Sequence, residues 1–385
     1  MYLGSKEIKS LFHLDHSVTY LNHGSFGACP KELLNTQFNF KKELEKEPVK
    51  HLVFDIIKNL EQSRKALSLY VNCDKDDLVY FPNPSTALNT VLRSLKLEKG
   101  DEILATNHEY GAMDKAWKYL SKKIGVNYIN QKISVPLTTK EFFINEFLKG
   151  ITKKTRIIFL SHITSPTGLI FPVKEICEIA KKKNIITIID GAHAPGHINL
   201  DLQDLDADFY CGACHKWMCS PKGVAFLYAK KQQQAVIEPL VISWGYDSDN
   251  PSSSQFLDYL QWQGTNDISA YLTIPETINF LKRYSWNEKA KKCRELNFWA
   301  IKKIQHELNL KPLANSSFIG QMSSYLFDFK GDLLSNQIEF YTKYKIQIPF
   351  FRWNDNTLFR ISVQVYNNKE EIKKFIYSFK DHFKI

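Results

Sequence analysis

Two residues with complementary chemistry follow runs that read as buried strands. Asp190 closes the apolar run 185–189, and Lys216 follows the run 208–215. A lysine amine can form a Schiff base with an aldehyde. A carboxylate can keep a pyridine nitrogen protonated, so that the ring accepts the electrons of a carbanion. The pair therefore suits an aldehyde cofactor that contains a pyridine ring.

Other polar residues stand at predicted strand ends, where an open α/β sheet binds its ligands. Ser85 and Thr86 begin a predicted helix, with Ser85 or its neighbour as the cap. The free N–H groups there favour a phosphate, although a simple cap explains the pair equally well. Tyr110 could stack on a cofactor ring or be an ordinary core or surface tyrosine. Ser165 belongs to a hydroxyl-rich Pro-Gly turn.

Arg360 lies inside an apolar strand predicted near the carboxyl end. A guanidinium in that setting needs an anionic partner. The partner is either a structural carboxylate or a substrate carboxylate held by two parallel hydrogen bonds. Only seven arginines occur in a chain rich in lysine, which favours the substrate role.

A second constellation has metal-ligand spacing. Residues 211–215 match the Cys-x-x-Cys-His pattern of covalent haem attachment, and Cys219 adds a further ligand. A metal- or haem-binding protein that uses Cys211, Cys214, His215 and Cys219 is therefore an alternative of a different class. The sequence has no export signal and no second Cys-x-x-Cys, so buried thiols are the default interpretation.

Composition sets broad limits. A chain of 385 residues with ordinary charged and apolar fractions indicates a globular protein with a large and a small domain. The net charge of +10 comes from dispersed lysines without a nucleic-acid-binding motif, which indicates a solvated surface. Seven cysteines without regular spacing, no signal peptide and no apolar membrane span predict reduced thiols and a cytoplasmic location.

The hydrophobic pattern predicts strands that alternate with helices. Strands are predicted at 78–81, 102–106, 156–161, 185–189, 207–210 and 223–228, with helices at 86–95, 112–123 and 173–183. This order predicts a mostly parallel sheet that is covered on both faces. Beyond Trp262 come a helical region at 268–310, short strands at 324–329 and 359–364, and a helix at 368–382. We expect an amino-terminal segment at 1–18, a large domain at 19–262 and a small α+β domain at 263–385.

Taken together, these segments resemble the class V aminotransferase family of pyridoxal-phosphate enzymes. The likeness is closer to the branch with isopenicillin N epimerases and sulfoxide C–S lyases. The matching segments are LNHGSFG (21–27), NPSTALN (83–89), HEY (108–110), TSPTG (164–168), DGAH (190–193), HKW (215–217), WQGT (262–265) and RIS (360–362). They follow the family order along nearly the whole chain.

The resemblance implies the α/β fold type I, a mostly parallel seven-stranded sheet between helices, with a smaller α+β carboxyl-terminal domain. It implies pyridoxal phosphate as the cofactor. Lys216 would hold the aldehyde, and Asp190 would pair with the pyridine nitrogen. Tyr110 would stack on the ring, and His193 would lie beneath it.

The resemblance also assigns the phosphate and the substrate. Ser85, Thr86 and His215 would hold the phosphate. Gly264 and Thr265 would reach the phosphate of the neighbouring subunit, so a homodimer is implied. Arg360 would clamp the α-carboxylate of an amino acid, next to Asn22, Gly24 and Ser25 of the amino-terminal turn.

Three positions depart from the family pattern. Ala213 stands where relatives place a serine or asparagine near the phosphate. Asn266 replaces an arginine of the branch, which affects substrate choice. Ser165 replaces the asparagine that many members set against the ring oxygen of the cofactor.

The expected reaction occurs at Cα or Cβ of an amino acid. C–S lysis of an S-substituted cysteine or its sulfoxide is favoured, because it needs no second base. Epimerisation needs one, for which Tyr110 and His23 are the candidates, and transamination is a third outcome. Cysteine desulfuration through a persulfide is disfavoured because no cysteine follows Cys293. A catalytically inactive scaffold remains a further alternative.

Overall fold

The computed structural model of the chain describes residues 5–385. Its strands are β1 (Thr19–Tyr20), β2 (Leu78–Phe81), β3 (Glu102–Thr106), β4 (Asn127–Gln131), β5 (Thr155–Ser161), β6 (Ile186–Gly191), β7 (Phe209–Ala213), β8 (Ala225–Ala229), β9 (Met322–Phe327), β10 (Ile346–Gln347), β11 (Phe350–Trp353) and β12 (Asn356–Ser362).

The α-helices alternate with these strands in the first two thirds of the chain. The α-helices of the whole described chain are α1 (Ser5–Ser10), α2 (Lys31–Lys46), α3 (Ile56–Val71), α4 (Pro84–Ser94), α5 (Gly111–Ile124), α6 (Lys140–Leu148), α7 (Val173–Lys182), α8 (Leu202–Leu205), α9 (Gln255–Leu260), α10 (Ser269–Leu272), α11 (Ile274–Arg283), α12 (Trp286–Leu308), α13 (Leu333–Tyr344) and α14 (Lys369–Phe383). None of the helices described between residues 5 and 385 combines the length and the apolar character that a membrane span requires.

A seven-stranded sheet forms the centre of the molecule. Its strand order is β2-β8-β7-β6-β5-β3-β4, and only β8 runs antiparallel to its neighbours. Alternate residues of β5 enter two different apolar cores: Ile157 and Phe159 face one, and Ile158 and Leu160 face the other. A strand that is buried on both faces belongs to a sheet covered by helices on each side. The predicted mostly parallel sheet is confirmed.

A smaller sheet lies in the carboxyl-terminal part, with the antiparallel order β11-β12-β9. The amino-terminal strand β1 pairs with β10, and Asn22 forms an isolated bridge with Ser362. The amino-terminal turn is therefore held against the strand that carries Arg360. The domain boundaries at 18/19 and 262/263 stay a prediction.

One local prediction is corrected at the start of α4. Asn83, and not Ser85, is the residue that precedes the helix, and its side chain accepts the backbone N–H of Thr86 at 2.9 Å. Proline occupies the first helical position, where its missing N–H costs nothing. Ser85 and Thr86 therefore lie inside the first turn of the helix.

Candidate active site

A cleft of about 600 Å³ lies where strands of the large sheet end. Asp190 near the end of β6 and Ser161 at the end of β5 line it, as does the turn that follows β7. This edge is where open α/β sheets bind ligands. Nine predicted site residues line the cleft: Asn22, Ser25, Ser85, Tyr110, Ser165, Asp190, His193, His215 and Lys216.

Lys216 projects from the turn after β7, which the Cys219 N–H closes on the Lys216 carbonyl at 3.0 Å. Its amine lies 3.2 Å from Nε2 of His193. Burial lowers the pKa of this amine to about 8, because an ammonium loses hydration there, although Asp190 acts in the opposite direction. An amine with that pKa has a far larger neutral fraction near pH 7 to 8 than an ordinary lysine, and the neutral form is the one that acts as a nucleophile or base.

Asp190 is a buried carboxyl group at the end of β6. The backbone N–H of Ala192 donates to its Oδ1 at 3.0 Å. Burial raises the pKa of Asp190, and the Ala192 hydrogen bond and the Lys216 charge oppose that rise. A cationic ring nitrogen beside this carboxyl group would lower its pKa and stabilise both charges.

The phosphate end of the predicted site lies at the first turn of α4. Ser85 lines the cleft, whereas Thr86 donates its hydroxyl to the cap Asn83 at 3.1 Å. His215 lines the same cleft, and its Nδ1 is buried without a hydrogen-bond partner among residues 5–385. Buried polar atoms are rarely left unpaired. A helix amino terminus and an unpaired imidazole nitrogen that border one cleft fit a bound phosphate.

Arg360 is 1% exposed, and its guanidinium contacts neutral oxygens. Nη2 donates to Ser25 Oγ at 2.8 Å, and Nη1 donates to the Ser165 carbonyl. Nε has no partner in the described part of the chain. Burial lowers the pKa of Arg360 to about 10, and Tyr20 opposes this shift. A buried cation with neutral partners is costly and fits an anionic ligand.

The amino-terminal turn packs closely against this guanidinium. A Cβ at Gly24 would lie 2.8 Å from Ser362 Oγ and 3.3 Å from Arg360 Nη2. Within residues 5–385, Asn22 Oδ1 and Ser362 Oγ also lack hydrogen-bond partners. The unpaired polar atoms thus cluster where the substrate carboxylate is predicted. Gly24 and Arg360 lie behind the wall of the cleft, and Asn22 and Ser25 form part of it.

The two candidates for a second base differ in access. Tyr110 lines the cleft and is 44% exposed. His23 is fully buried, where its ring nitrogens lie 2.8 Å from the Tyr366 hydroxyl and 3.0 Å from the Lys216 carbonyl. Burial lowers the pKa of His23 to about 3. His23 therefore supports the lysine turn, and Tyr110 is the better placed of the two candidates.

Gly264 and Thr265 lie outside this cleft. They follow α9, and Gly264 has a φ of +106° with no described atom within 4 Å of an added Cβ. Thr265 is exposed. These positions are free to meet another molecule, and their predicted role across a subunit interface stays a prediction.

The cysteines of the haem-like motif face different neighbours. Cys211 Sγ lies 3.8 Å from the Pro84 carbonyl, and Cys219 Sγ lies 3.8 Å from His23 Nε2. Residues 5–385 contain no cluster of three or more His, Cys, Asp or Glu side chains suited to a metal ion. Cys211, Cys214 and Cys219 are buried free thiols.

Sequence reasoning missed Glu109, a buried carboxyl group that joins two strand ends. It accepts hydrogen bonds from the backbone N–H of Ser161 at 2.9 Å, from the Ser161 hydroxyl at 2.5 Å and from the Thr106 hydroxyl at 2.6 Å. Burial raises the pKa of Glu109 to about 8. Its place next to Tyr110 in the HEY segment was the available signal.

A second missed group forms the apolar wall of the cleft. Phe26 comes from the amino-terminal turn, and Gln337, Pro349, Phe350 and Phe351 come from the carboxyl-terminal part. These residues are far apart in the sequence, and of them only Phe26 belongs to a matching segment, LNHGSFG (21–27). Their positions depend on long-range pairing that the sequence pattern does not contain.

Comparison with known proteins identifies the family. Residues 27–375 match the family described as Aminotransferase class-V. The chain belongs to this family. Isopenicillin N epimerase of Amycolatopsis lactamdurans is 29% identical, over 96% of each chain. Hercynylcysteine sulfoxide lyase of Schizosaccharomyces pombe is 27% identical, over 94% of this chain and 93% of the relative.

A solved structure supports the fold of this class V member. The apo cysteine desulfurase of Thermococcus onnurineus NA1 superimposes with a TM-score of 0.84 at 19% identity, over 100% of this chain and 99% of that one. At this identity the likeness concerns the fold alone. The predicted family, the fold type I architecture and pyridoxal phosphate as the cofactor are confirmed.

Proposed function

We propose that this class V enzyme is a C–S lyase that acts on an S-substituted cysteine or its sulfoxide. One observation carries the proposal: the Lys216 amine and the Asp190 carboxyl group line the same cleft, beside the buried guanidinium of Arg360. An amine, an acid and a carboxylate-binding cation are the groups that chemistry at Cα of an amino acid requires.

The residues present fit pyridoxal phosphate. The first turn of α4 and His215 Nδ1 would hold its phosphate, and Asp190 would hold its ring nitrogen. Lys216 would hold its aldehyde carbon, and Tyr110 and Ser165 line the same space. When bound, the cofactor supplies an electron sink for a carbanion at Cα.

The protein's own groups then bind the substrate and move its proton. Arg360 would hold the α-carboxylate with Ser25 beside it, which fixes the position of Cα. The neutral amine of Lys216 removes the proton from Cα. The bond between Cβ and sulfur breaks, and its electron pair leaves with the sulfur. After addition of water, the remaining fragment is released as pyruvate and ammonia.

The aromatic residues of the cleft wall favour a substrate with an uncharged substituent on its sulfur atom. Phe26 and Phe351 both line the cleft; Phe26 is 68% exposed, and the Phe351 ring lies 5.3 Å from the Arg360 guanidinium. Exposed aromatic side chains that line a pocket gain stability when an apolar group covers them. We therefore expect S-alkyl and S-aryl cysteines to be turned over faster than S-carboxyalkyl cysteines.

Epimerisation at Cα is the second candidate, and the position of Tyr110 favours it. Tyr110 lines the cleft, and its hydroxyl is the candidate proton donor to Cα other than Lys216. The similarity to isopenicillin N epimerase agrees with this alternative. Lysis remains preferred because it needs Lys216 as the only base, and His23 is withdrawn into the core.

The test measures both reactions at once. The purified chain with pyridoxal phosphate is incubated with S-methyl, S-benzyl and sulfoxide derivatives of L-cysteine, and pyruvate, ammonia and the chirality of the recovered substrate are followed. A lyase releases equal amounts of pyruvate and ammonia. Substrate that racemises without pyruvate supports the epimerase, and transfer of the amino group to a keto acid supports an aminotransferase.

Lys216→Ala is the matched negative control for that assay. It should keep the fold, judged by far-UV circular dichroism, and lose the absorption band that borohydride abolishes in the wild-type protein. Full turnover by this variant would overturn the assigned base.

Assembly and location belong to the same proposal. We propose a homodimer in which Gly264 and Thr265 complete the phosphate site of the partner subunit, and a division of the chain at 18/19 and 262/263. A cytoplasmic location is supported by seven cysteines that are all free thiols. Cell fractionation tests the location, and sedimentation velocity tests the dimer.

A further inference from the structure

Trp217, the residue after Lys216, forms a hydrogen bond that controls a neighbouring imidazole. Its indole Nε1–H donates to Nδ1 of His193 at 3.2 Å. The other ring nitrogen of His193, Nε2, lies 3.2 Å from the Lys216 amine. An indole N–H can only donate. Nδ1 of His193 must therefore accept, and it carries no proton.

The His193 ring is neutral, so its single proton sits on Nε2. Burial lowers the pKa of His193 well below its ordinary value, and Arg360, His197, His23 and any charged form of Lys216 act in the same direction. A neutral imidazole without a proton on Nδ1 has an N–H at Nε2. That N–H points at the lysine nitrogen, which must accept. A neutral amine can accept, and an ammonium cannot.

We propose that Trp217 is a positioning residue that selects the Nε2–H tautomer of His193, and that this tautomer favours the neutral, nucleophilic amine of Lys216. The consequence for catalysis rests on the proposed function, in which Lys216 holds the cofactor and acts as the base. The tautomer itself does not depend on that function.

The packing around Trp217 holds the indole in one orientation. Its ring lies 4.1 Å from the His197 ring and 5.1 Å from the His23 ring, measured between centroids. A Cβ at Gly196 would lie 2.5 Å from the Trp217 carbonyl, so the backbones there are in close contact. His197 is itself fixed, because its Nδ1 donates to the His193 carbonyl at 3.2 Å and its Nε2 accepts the Gln321 N–H at 2.7 Å.

Other groups also act on the Lys216 amine. Asp190 and Cys211 raise its pKa, and Arg360 lowers it in the same direction as burial. None of these groups changes when Trp217 is replaced. A shift seen in a Trp217 variant therefore reports the contribution of the imidazole, provided that the fold is kept.

The simpler alternative is that Trp217 only fills the core, and the chain contains a matched control. Trp117 is equally buried, but its Nε1 has no hydrogen-bond partner in the part of the chain that the structure describes. Replacement by phenylalanine removes a similar volume at either position. If Trp217 merely fills space, Trp217→Phe should lower the free energy of unfolding about as much as Trp117→Phe and leave the tautomer of His193 unchanged.

The first measurement is the tautomer of His193. Two-bond ¹H–¹⁵N spectra of histidine-labelled full-length protein, with and without pyridoxal phosphate, distinguish the two neutral forms, and His193→Gln assigns the signal. We expect the Nε2–H form in the wild type and in Trp117→Phe. In Trp217→Phe we expect the Nδ1–H form to appear. The Nδ1–H form or a doubly protonated ring in the wild type near neutral pH would overturn the proposal.

The second measurement is the pH dependence of Lys216 reactivity. The rate at which cofactor-free protein captures the aldehyde of pyridoxal phosphate is followed against pH, with Lys216→Ala as the blank. In Trp217→Phe the Nδ1–H form of His193 leaves a lone pair on Nε2, which can accept a hydrogen bond from the ammonium form of Lys216. The apparent pKa of Lys216 should therefore rise by ~1 unit relative to Trp117→Phe. Equal profiles in the two variants would refute the role of Trp217.

Failure of the proposed function and failure of the proposed role of Trp217 give different results. If the wild type captures no aldehyde while His193 is the Nε2–H tautomer, the proposed function fails and the tautomer assignment stands. If capture and turnover are normal but the tautomer is Nδ1–H, only the role of Trp217 fails. If Trp217→Phe does not fold, the wild-type spectrum alone decides.

Discussion

At the scale of single residues, Arg360 carries the clearest prediction. Its guanidinium is buried against the Ser25 hydroxyl and the Ser165 carbonyl, and no carboxylate among residues 5–385 forms an ion pair with it. Arg360→Lys keeps the charge and loses the planar fork. We expect kcat/KM for an S-substituted cysteine to fall roughly 100-fold, equivalent to about 3 kcal/mol.

A substrate without the α-carboxylate separates this role from a structural one. An S-substituted cysteamine lacks only that group, so Arg360→Lys should leave its slow turnover nearly unchanged. Equal losses on the amino acid and on the amine would show that Arg360 supports the fold instead. Arg360→Met, which removes a buried charge, should not lower the free energy of unfolding by several kcal/mol.

Glu109 makes a prediction about pH. Burial raises its pKa from 4.5 to about 8, because the hydroxyl donors of Ser161 and Thr106 do not fully replace water. Between pH 4.5 and about pH 8, the Glu109 side chain is ionised in the unfolded chain and protonated in the folded chain. The free energy of unfolding should therefore fall as pH rises through this window, by an amount on the order of a few kcal/mol.

Glu109→Gln is the control for that titration. It cannot ionise, so urea unfolding at about pH 5, 6, 7 and 8 should show a flatter dependence than in the wild type. The other titrating groups are common to both proteins and cancel in the difference. Parallel curves would mean that Glu109 is ionised in the folded chain, with its four donors from Thr106 and Ser161 sufficient to hold the charge.

Sequence reasoning can predict which residues come close together where a strand end fixes their position, while their roles stay predictions. Asp190 lies near the end of β6, and Ser165 and Lys216 follow β5 and β7 of the same sheet, so all three line one cleft at its edge. The alternation of apolar residues is enough to place such ends. Phe351 and Gln337 could not be found in this way, because their approach to the cleft depends on how two sheets are arranged.

At the scale of elements, the amino-terminal turn packs directly on the lysine turn. A Cβ at Gly27 would lie 2.5 Å from the carbonyl oxygens of both His215 and Lys216. Both obstacles are backbone atoms, so Gly27→Ala must move one turn relative to the other. We expect the affinity for pyridoxal phosphate to fall roughly 10-fold or more, since displacements near 1 Å are costly in a preorganised site.

Gly111→Ala is the control for Gly27→Ala. Gly111 begins α5, and no described atom lies within 4 Å of an added Cβ. Alanine there should be neutral or slightly stabilising, because it has the higher helix propensity. Fluorescence titration with the cofactor compares the variants. Wild-type affinity in Gly27→Ala would contradict the tight contact between the turns.

The elements also show which local patterns are informative. Strands β2 and β3 have the predicted bounds, since each is a short apolar run next to turn residues. Strand β4 was missed because it lies at the sheet edge and is polar, with the sequence NYINQ. Strands β10 and β11 were missed because they are short and take their partners from distant parts of the chain.

At the scale of the whole molecule, the site draws on both ends of the chain. Asn22 and Ser25 come from the amino-terminal turn, and Arg360 comes from a strand near the carboxyl end. The β1–β10 pair and the bridge from Asn22 to Ser362 bring them together. Such long-range contacts leave no pattern in the local sequence. The family resemblance was therefore needed to predict that Asn22, Ser25 and Arg360 belong to one site.

The same scale includes the proposed second subunit, whose phosphate site Thr265 is predicted to reach. Thr265 is exposed and lies outside the cleft of its own chain, so Thr265→Ala should leave the folded subunit intact. If its hydroxyl reaches the phosphate in the partner subunit, the loss of one charge-assisted hydrogen bond should weaken cofactor binding roughly 10-fold.

Mixing two defective variants decides whether Thr265 acts across the interface. Lys216→Ala cannot hold the cofactor aldehyde, and Thr265→Ala holds it weakly. In a mixed dimer with shared sites, one site combines an intact Lys216 with the intact Thr265 of the partner subunit. Lyase activity at limiting cofactor should therefore exceed the mean of the two parent dimers after subunit exchange. If Thr265 acts within its own chain, no mixed site is complete, and activity should stay at or below that mean.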